Sequence, residues 1–146
     1  MSCVLRARGA NFAVDEFLAA SKLTAIAVFR RGYPQSPVSP PGSGIPTESG
    51  FHAVASEADF SDHQTQIADA AYFLEQNHDD LARLVNFPGV ENVSLDFGIE
   101  EREVAAQSER FPPNLLRVLG DLGIWLEFTL YPPSDTNIAS PATKSP

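Results

Sequence analysis

The sequence has a single cysteine, Cys3, in 146 residues. That excludes an intramolecular disulfide and fits a reducing compartment. No apolar run approaches the roughly 18 residues of a membrane span. The opening "MSCVLRARG" lacks the apolar core and small-residue cleavage site of a signal peptide, so a cytoplasmic protein is expected. Histidine is scarce: His52, His63 and His78 are dispersed, and no second ligand pair accompanies any of them. No serine-nucleophile elbow is present, and Cys3 has no local cue for a catalytic partner. "RGY" at 31–33 begins like an RNA-recognition strand, but Pro34 ends the match. "GSG" at 42–44 begins like a dinucleotide-binding turn, but Pro46 and Thr47 follow and no helix opens. The reading therefore carries no cofactor and no metal.

Basic charge is also scarce. The net charge is −9, and it is uneven along the chain. Residues 1–31 hold five basic and two acidic side chains, a net +3, whereas residues 57–109 hold thirteen carboxylates and two arginines, a net −11. Such a field repels nucleic acid and anionic membrane and steers a basic partner.

What the chain does have is periodicity between proline-rich stretches. Of twelve prolines, five lie in 34–46 and four in 132–146. These stretches predict a single α+β domain over 1–132, a long flexible loop at 33–49 and a disordered tail at 133–146. "CVLRAR" alternates, with Cys3, Leu5 and Ala7 on one face. "TAIAVFR", "FHAVASE", "NVSLDFGIE" and "IWLEFTLY" alternate likewise and predict four more strands. "VDEFLAAS" predicts a short helix. Ile67, Ala71, Leu74, His78, Leu81 and Val85 form a helical stripe, with Ser61 and Gln64 as its capping box and "EQNHDD" as a break. "FPPNLLRVLGDLG" predicts a helix started by proline and stopped by Gly123.

The order β-α-β, β-α-β, α-β predicts a ferredoxin-like βαββαβ unit followed by an extra αβ unit. The expected sheet is mixed and five-stranded, with helices mainly on one face. The last helix is expected to be a crossover that sets strands 93–99 and 124–131 parallel. Leu95, Phe97, Leu116, Leu126 and Phe128 are expected in the core.

Candidate site residues are few. "DFSDH" gathers Asp59, Asp62 and His63, and helix capping accounts for the acids. In "DFGIEERE" Asp96 and Glu100 share a strand face about 13 Å apart, too far to act as a carboxylate pair. Trp125 and Tyr131 are outward on the last strand and suit an apolar anchor.

"NFPGVENVSLDFGIEEREVAAQSERFPPNLLRVLGDLGIWLEFTLYP", preceded by "FRRG" and "SGF", resembles a group of small bacterial proteins classed as a domain of unknown function. The resemblance covers most of 3–132. It implies a bacterial, cytoplasmic α+β protein with no established reaction, and an immunity or partner-binding role. It carries over no catalytic residue.

The sequence therefore predicts a non-catalytic protein-binding module, immunity-like against a basic protein partner. The contact residues expected are Arg30, Arg31, Tyr33, Asp96, Glu100, Glu101, Trp125 and Tyr131. A homodimer through the same aromatic face is the rival mode of association. The alternative function is a small enzyme or ligand-binding protein with its site near Arg30, Asp96 and Glu100.

Overall fold

The computed structural model describes residues 1–35 and 44–133. The expected tail at 133–146, beyond its first residue, and the middle of the 33–49 loop lie outside these. β1 (Cys3–Gly9) follows its alternation: Cys3, Leu5 and Ala7 are fully buried while Arg6 and Arg8 take the other face. α1 (Val14–Ala19) buries Val14 and Phe17. β2 (Ala25–Phe29) and β3 (Ser49–Ser56) flank the long connection. α2 (His63–Gln76), α3 (His78–Val85) and β4 (Asn92–Glu100) come next. α4 (Pro113–Leu122) starts with proline and stops at Gly123, whose φ of 82° is the left-handed conformation glycine adopts freely. β5 (Trp125–Tyr131) ends the described fold.

The sheet order is β2-β3-β1-β4-β5. β1 pairs antiparallel with both β3 and β4, and β2 pairs antiparallel with β3. β4 and β5 run parallel, joined through α4, as the crossover reading requires. The protein is α+β, with a five-stranded mixed sheet and four helices among the described residues.

All four helices contribute to one hydrophobic core against one sheet face. At one end Phe17 stacks on Phe51 at 5.8 Å and meets Phe87 edge-on at 5.3 Å, with the Arg83 guanidinium 4.2 Å over the Phe17 ring. At the other end Phe97 meets Phe111 at 5.1 Å. Full burial of such a ring stabilises by about 2–3 kcal/mol.

Four local expectations are corrected. The helix breaks at Asn77, and the buried stripe is displaced by one position at Ile67, Ala71 and Val85 while holding at Leu74 and Leu81. The buried set is Gln66, Ala70 and Leu74 on α2, then Leu81 and Leu84 on α3. The cap of α2 is Asp62, which accepts from the Thr65 N–H at 3.1 Å; Ser61 instead donates to Asp59. Leu116 is exposed because the buried face of α4 runs through Leu115, Leu119 and Leu122. Phe128 is exposed because β5 is the outer strand and the helix layer covers only its beginning, at Ile124 and Leu126.

Candidate functional site

β5 is an edge strand of unusual composition. Trp125 is 66% exposed, Phe128 59%, Leu130 50% and Tyr131 40%. Apolar side chains therefore stand on both of its faces. Leu126, Phe128 and Leu130 share the helix side with Leu95, Phe97 and Ile99, their register partners on β4. Trp125, Glu127, Thr129 and Tyr131 take the open side.

The third direction is the backbone. The Tyr131 carbonyl accepts from the Glu101 N–H at 2.8 Å, so its peptide groups point inward to β4. Alternation then turns the N–H and C=O of Leu126, Phe128 and Leu130 toward the outer edge. Natural sheets normally protect such an edge with lysine, proline or a bulge. Within Trp125–Tyr131 there is only Glu127.

An acidic group closes the C-terminal end of this edge. Glu100 lines a hollow with Asp59, Phe60, Tyr131 and Pro132, and the Phe60 and Tyr131 rings are 5.0 Å apart. Glu101 and Glu103 are exposed on the turn that follows. The Ser61 hydroxyl and N–H hold the Asp59 carboxyl below the usual range, so it stays charged near neutrality.

Asp96 has a different part. It is buried and joins three strands: Arg6 of β1 donates to it at 3.1 Å and Thr129 of β5 at 2.9 Å. It ties the edge strand to the sheet rather than facing a partner. His52, on the same open face, lies 5.6 Å from the Phe29 ring. Burial pushes its pKa down, and the Arg6 charge adds to this. The unfolded chain therefore takes up that proton first, so stability is complete above pH ~6.5 and declines as the pH falls through it. Thermal melts at pH 8 and pH 5.5 should show a larger loss for wild type than for His52→Gln. Equal losses would contradict this.

The eight sequence candidates do not form one site. Arg30 is held by Asp15 through bonds of 2.7 and 2.6 Å, which keep that carboxyl below its usual range. Arg31 donates its N–H to Ser49 at 2.9 Å and reaches Ala10 and Asn11 with its guanidinium. Tyr33 is exposed nearby. These three follow β2, about 14 Å across the sheet from β4 at 4.8 Å per strand spacing. The site expected around Arg30, Asp96 and Glu100 is therefore not assembled: Arg30 and Asp96 already have separate partners. Glu100, Glu101 and Tyr131 do come together at one end of β5, whereas Trp125 lies at the other end, opposite Ser94.

Sequence reasoning missed Phe128, Leu130 and Leu116 as surface residues. A clue was present in "WLEFTLY": both parities are apolar, as in a strand whose two faces are covered. A hollow of about 330 Å³ between the helices, lined by Ala71, Leu74, Glu75, His78, Asn114 and Leu115, holds none of the candidates. Among the described residues no three of His, Cys, Asp and Glu are grouped to hold a metal, and no helix is long and apolar enough to cross a membrane. No protein-family model matches the chain, and neither curated proteins nor solved structures give a match.

Proposed function

We propose that the protein is a non-catalytic protein-binding module, immunity-like toward a basic partner, that uses the β5 edge. One observation carries this: an apolar edge strand exposed along its open face and, at Phe128 and Leu130, on its helix face, with its outward backbone unpaired among the described residues. A partner strand added there gains main-chain hydrogen bonds and a place for its apolar side chains. Glu100, Glu101 and Glu103 at the end of the edge, within a segment of net −11, support a basic partner. The lone cysteine supports a cytoplasmic location.

We read the scaffold as ferredoxin-like. The order β2-β3-β1-β4 and the two interleaved βαβ units support this, with α4 and β5 as the appended unit. The appended unit is also what supplies the binding edge.

Affinity capture from native lysate tests the function. A basic protein should be retained by wild type at low salt, several-fold less at high salt, and not by Phe128→Lys. With that partner in hand, replacing Glu101 and Glu103 by lysine should slow association while leaving dissociation nearly unchanged. An acidic partner indifferent to salt, or one that Phe128→Lys still retains, would refute the reading.

A further inference from the structure

The β5 edge is complementary to itself. We infer that, when no other partner is present, two copies of this chain close their β5 edges on each other about a two-fold axis at Phe128. The product is a continuous ten-stranded sheet. This inference rests on the edge being a binding edge and names its second occupant.

The register follows from the sequence of β5. In an antiparallel pair, directly opposed residues project from the same face. An axis passing through a residue therefore keeps both helix layers on one side. With the axis at Phe128, Leu126 meets Leu130 of the second copy on the helix face, and Phe128 meets its equivalent. On the open face Trp125 meets Tyr131 of the second copy, and Glu127 meets Thr129. Aliphatic opposes aliphatic and aromatic opposes aromatic. The N–H and C=O groups turned outward are those of Leu126, Phe128 and Leu130, so about six ladder hydrogen bonds form.

Neighbouring registers are worse. An axis at Glu127 sets two carboxylates directly opposite each other, which is destabilising. An axis at Thr129 brings Leu126 against Pro132, which has no N–H to donate. Phe128 is the axis that uses all seven residues.

Shape and area agree with this register. The hollow of about 380 Å³ beside Leu116 and Leu126 faces Leu130 of the second copy, which projects from the same side. The exposed fractions of Trp125, Phe128, Leu130, Tyr131 and Leu116 amount to roughly 500 Å² of apolar surface, taking about 150–250 Å² for a whole aromatic side chain. Two copies then bury at most about 1,000 Å² of apolar side-chain surface, which reaches the lower bound for a specific interface. Each copy carries −9, so the copies repel at long range and salt strengthens the pairing. A basic partner responds to salt in the opposite sense.

Sedimentation velocity over a concentration series, at low and high salt, tests the pairing. The expected result is a monomer–dimer equilibrium that tightens as salt rises. Phe128→Lys, which sets two like charges on the axis, should raise the dissociation constant at least tenfold with an unchanged melting profile. Disulfide trapping tests the register. Oxidised Phe128→Cys should link two chains, because hydrogen-bonded partners lie about 5.5 Å apart at Cα, within the range a disulfide spans. Glu127→Cys should not, because its equivalents lie about 8 Å apart on the diagonal. A monomer at all concentrations, a dimer that Phe128→Lys leaves intact, or trapping through Glu127→Cys instead would overturn the inference. A monomer that still captures a basic protein would defeat the pairing alone. A dimer that captures nothing would defeat the basic-partner reading alone.

Discussion

Gly89→Ala is expected to lower stability by about 2–5 kcal/mol, the sum of a left-handed backbone penalty and an unrelieved clash. Gly89 has φ of 88°, and a Cβ there would lie 2.1 Å from the Asn11 carbonyl oxygen. Gly9 is the reciprocal case, with its Cβ 1.8 Å from the Gly89 oxygen. The obstructing atoms are backbone, so no side-chain rotation relieves either contact. These glycines let the turn after α3 pass directly against the end of β1. There the Glu91 N–H donates to the Arg8 carbonyl at 2.9 Å, and the Glu91 carboxylate accepts from the Ala10 N–H. The contact sets where β4 starts beside β1. Thermal unfolding should show a midpoint lower by about 5–15 °C. Gly120→Ala is the opposite control. Nothing lies within 4 Å of its Cβ, and in the interior of α4 alanine should add about 0.5–1 kcal/mol. A Gly89→Ala melt within two degrees or so of wild type would show that the turn relaxes freely.

Phe97→Ala and Phe128→Ala should differ sharply, although the two residues are register partners on adjacent parallel strands. Phe97 is fully buried against Phe111 and His63. Its loss leaves a cavity and should cost about 3–5 kcal/mol. Phe128 is 59% exposed, so its truncation should change monomer stability by about 0.5 kcal/mol or less. The consequence should appear in association instead, as a weaker dimer and a weaker hold on a basic partner. Urea titrations at low protein concentration separate the two effects. A large loss of monomer stability in Phe128→Ala would mean that the edge strand is packed, and the binding reading would lose its main support.

Much of the secondary structure is legible because it follows from local rules. The alternation of Cys3, Leu5 and Ala7 defines β1 and its inward face. Pro113 and Gly123 bracket α4, since one residue suits a first helical turn and the other the left-handed stop. The parallel pairing of β4 with β5 follows from a helix of this length between two strands. The break between α2 and α3 is also visible in the polar run 75–80. The predicted stripe holds at Leu74 and Leu81, but in place of Ile67, Ala71 and Val85 the buried residues are their neighbours Gln66, Ala70 and Leu84.

The candidate site was half legible. Trp125 and Tyr131 stand on the open face as their alternation requires, and Glu100 and Glu101 lie beside Tyr131. In the sequence, only opposite charge links Arg30 to Asp96. Only the strand order shows that β2 and β4 are separated by two strands and that Asp15 already holds the arginine.

The sequence by itself determined the elements, their order, the inward faces of β1 and β4, and the acidic balance of residues 57–109. These depend on contacts between near neighbours and on composition. Tertiary structure alone decided that β5 is the outermost strand. Hydrophobicity specifies that Phe97 and Phe128 seek burial, but not which of them has a neighbour on both sides. β4 lies between β1 and β5 and is covered by helices. β5 has one neighbour, and the helix layer covers only its beginning. The same side chain is therefore core on one strand and binding surface on the next.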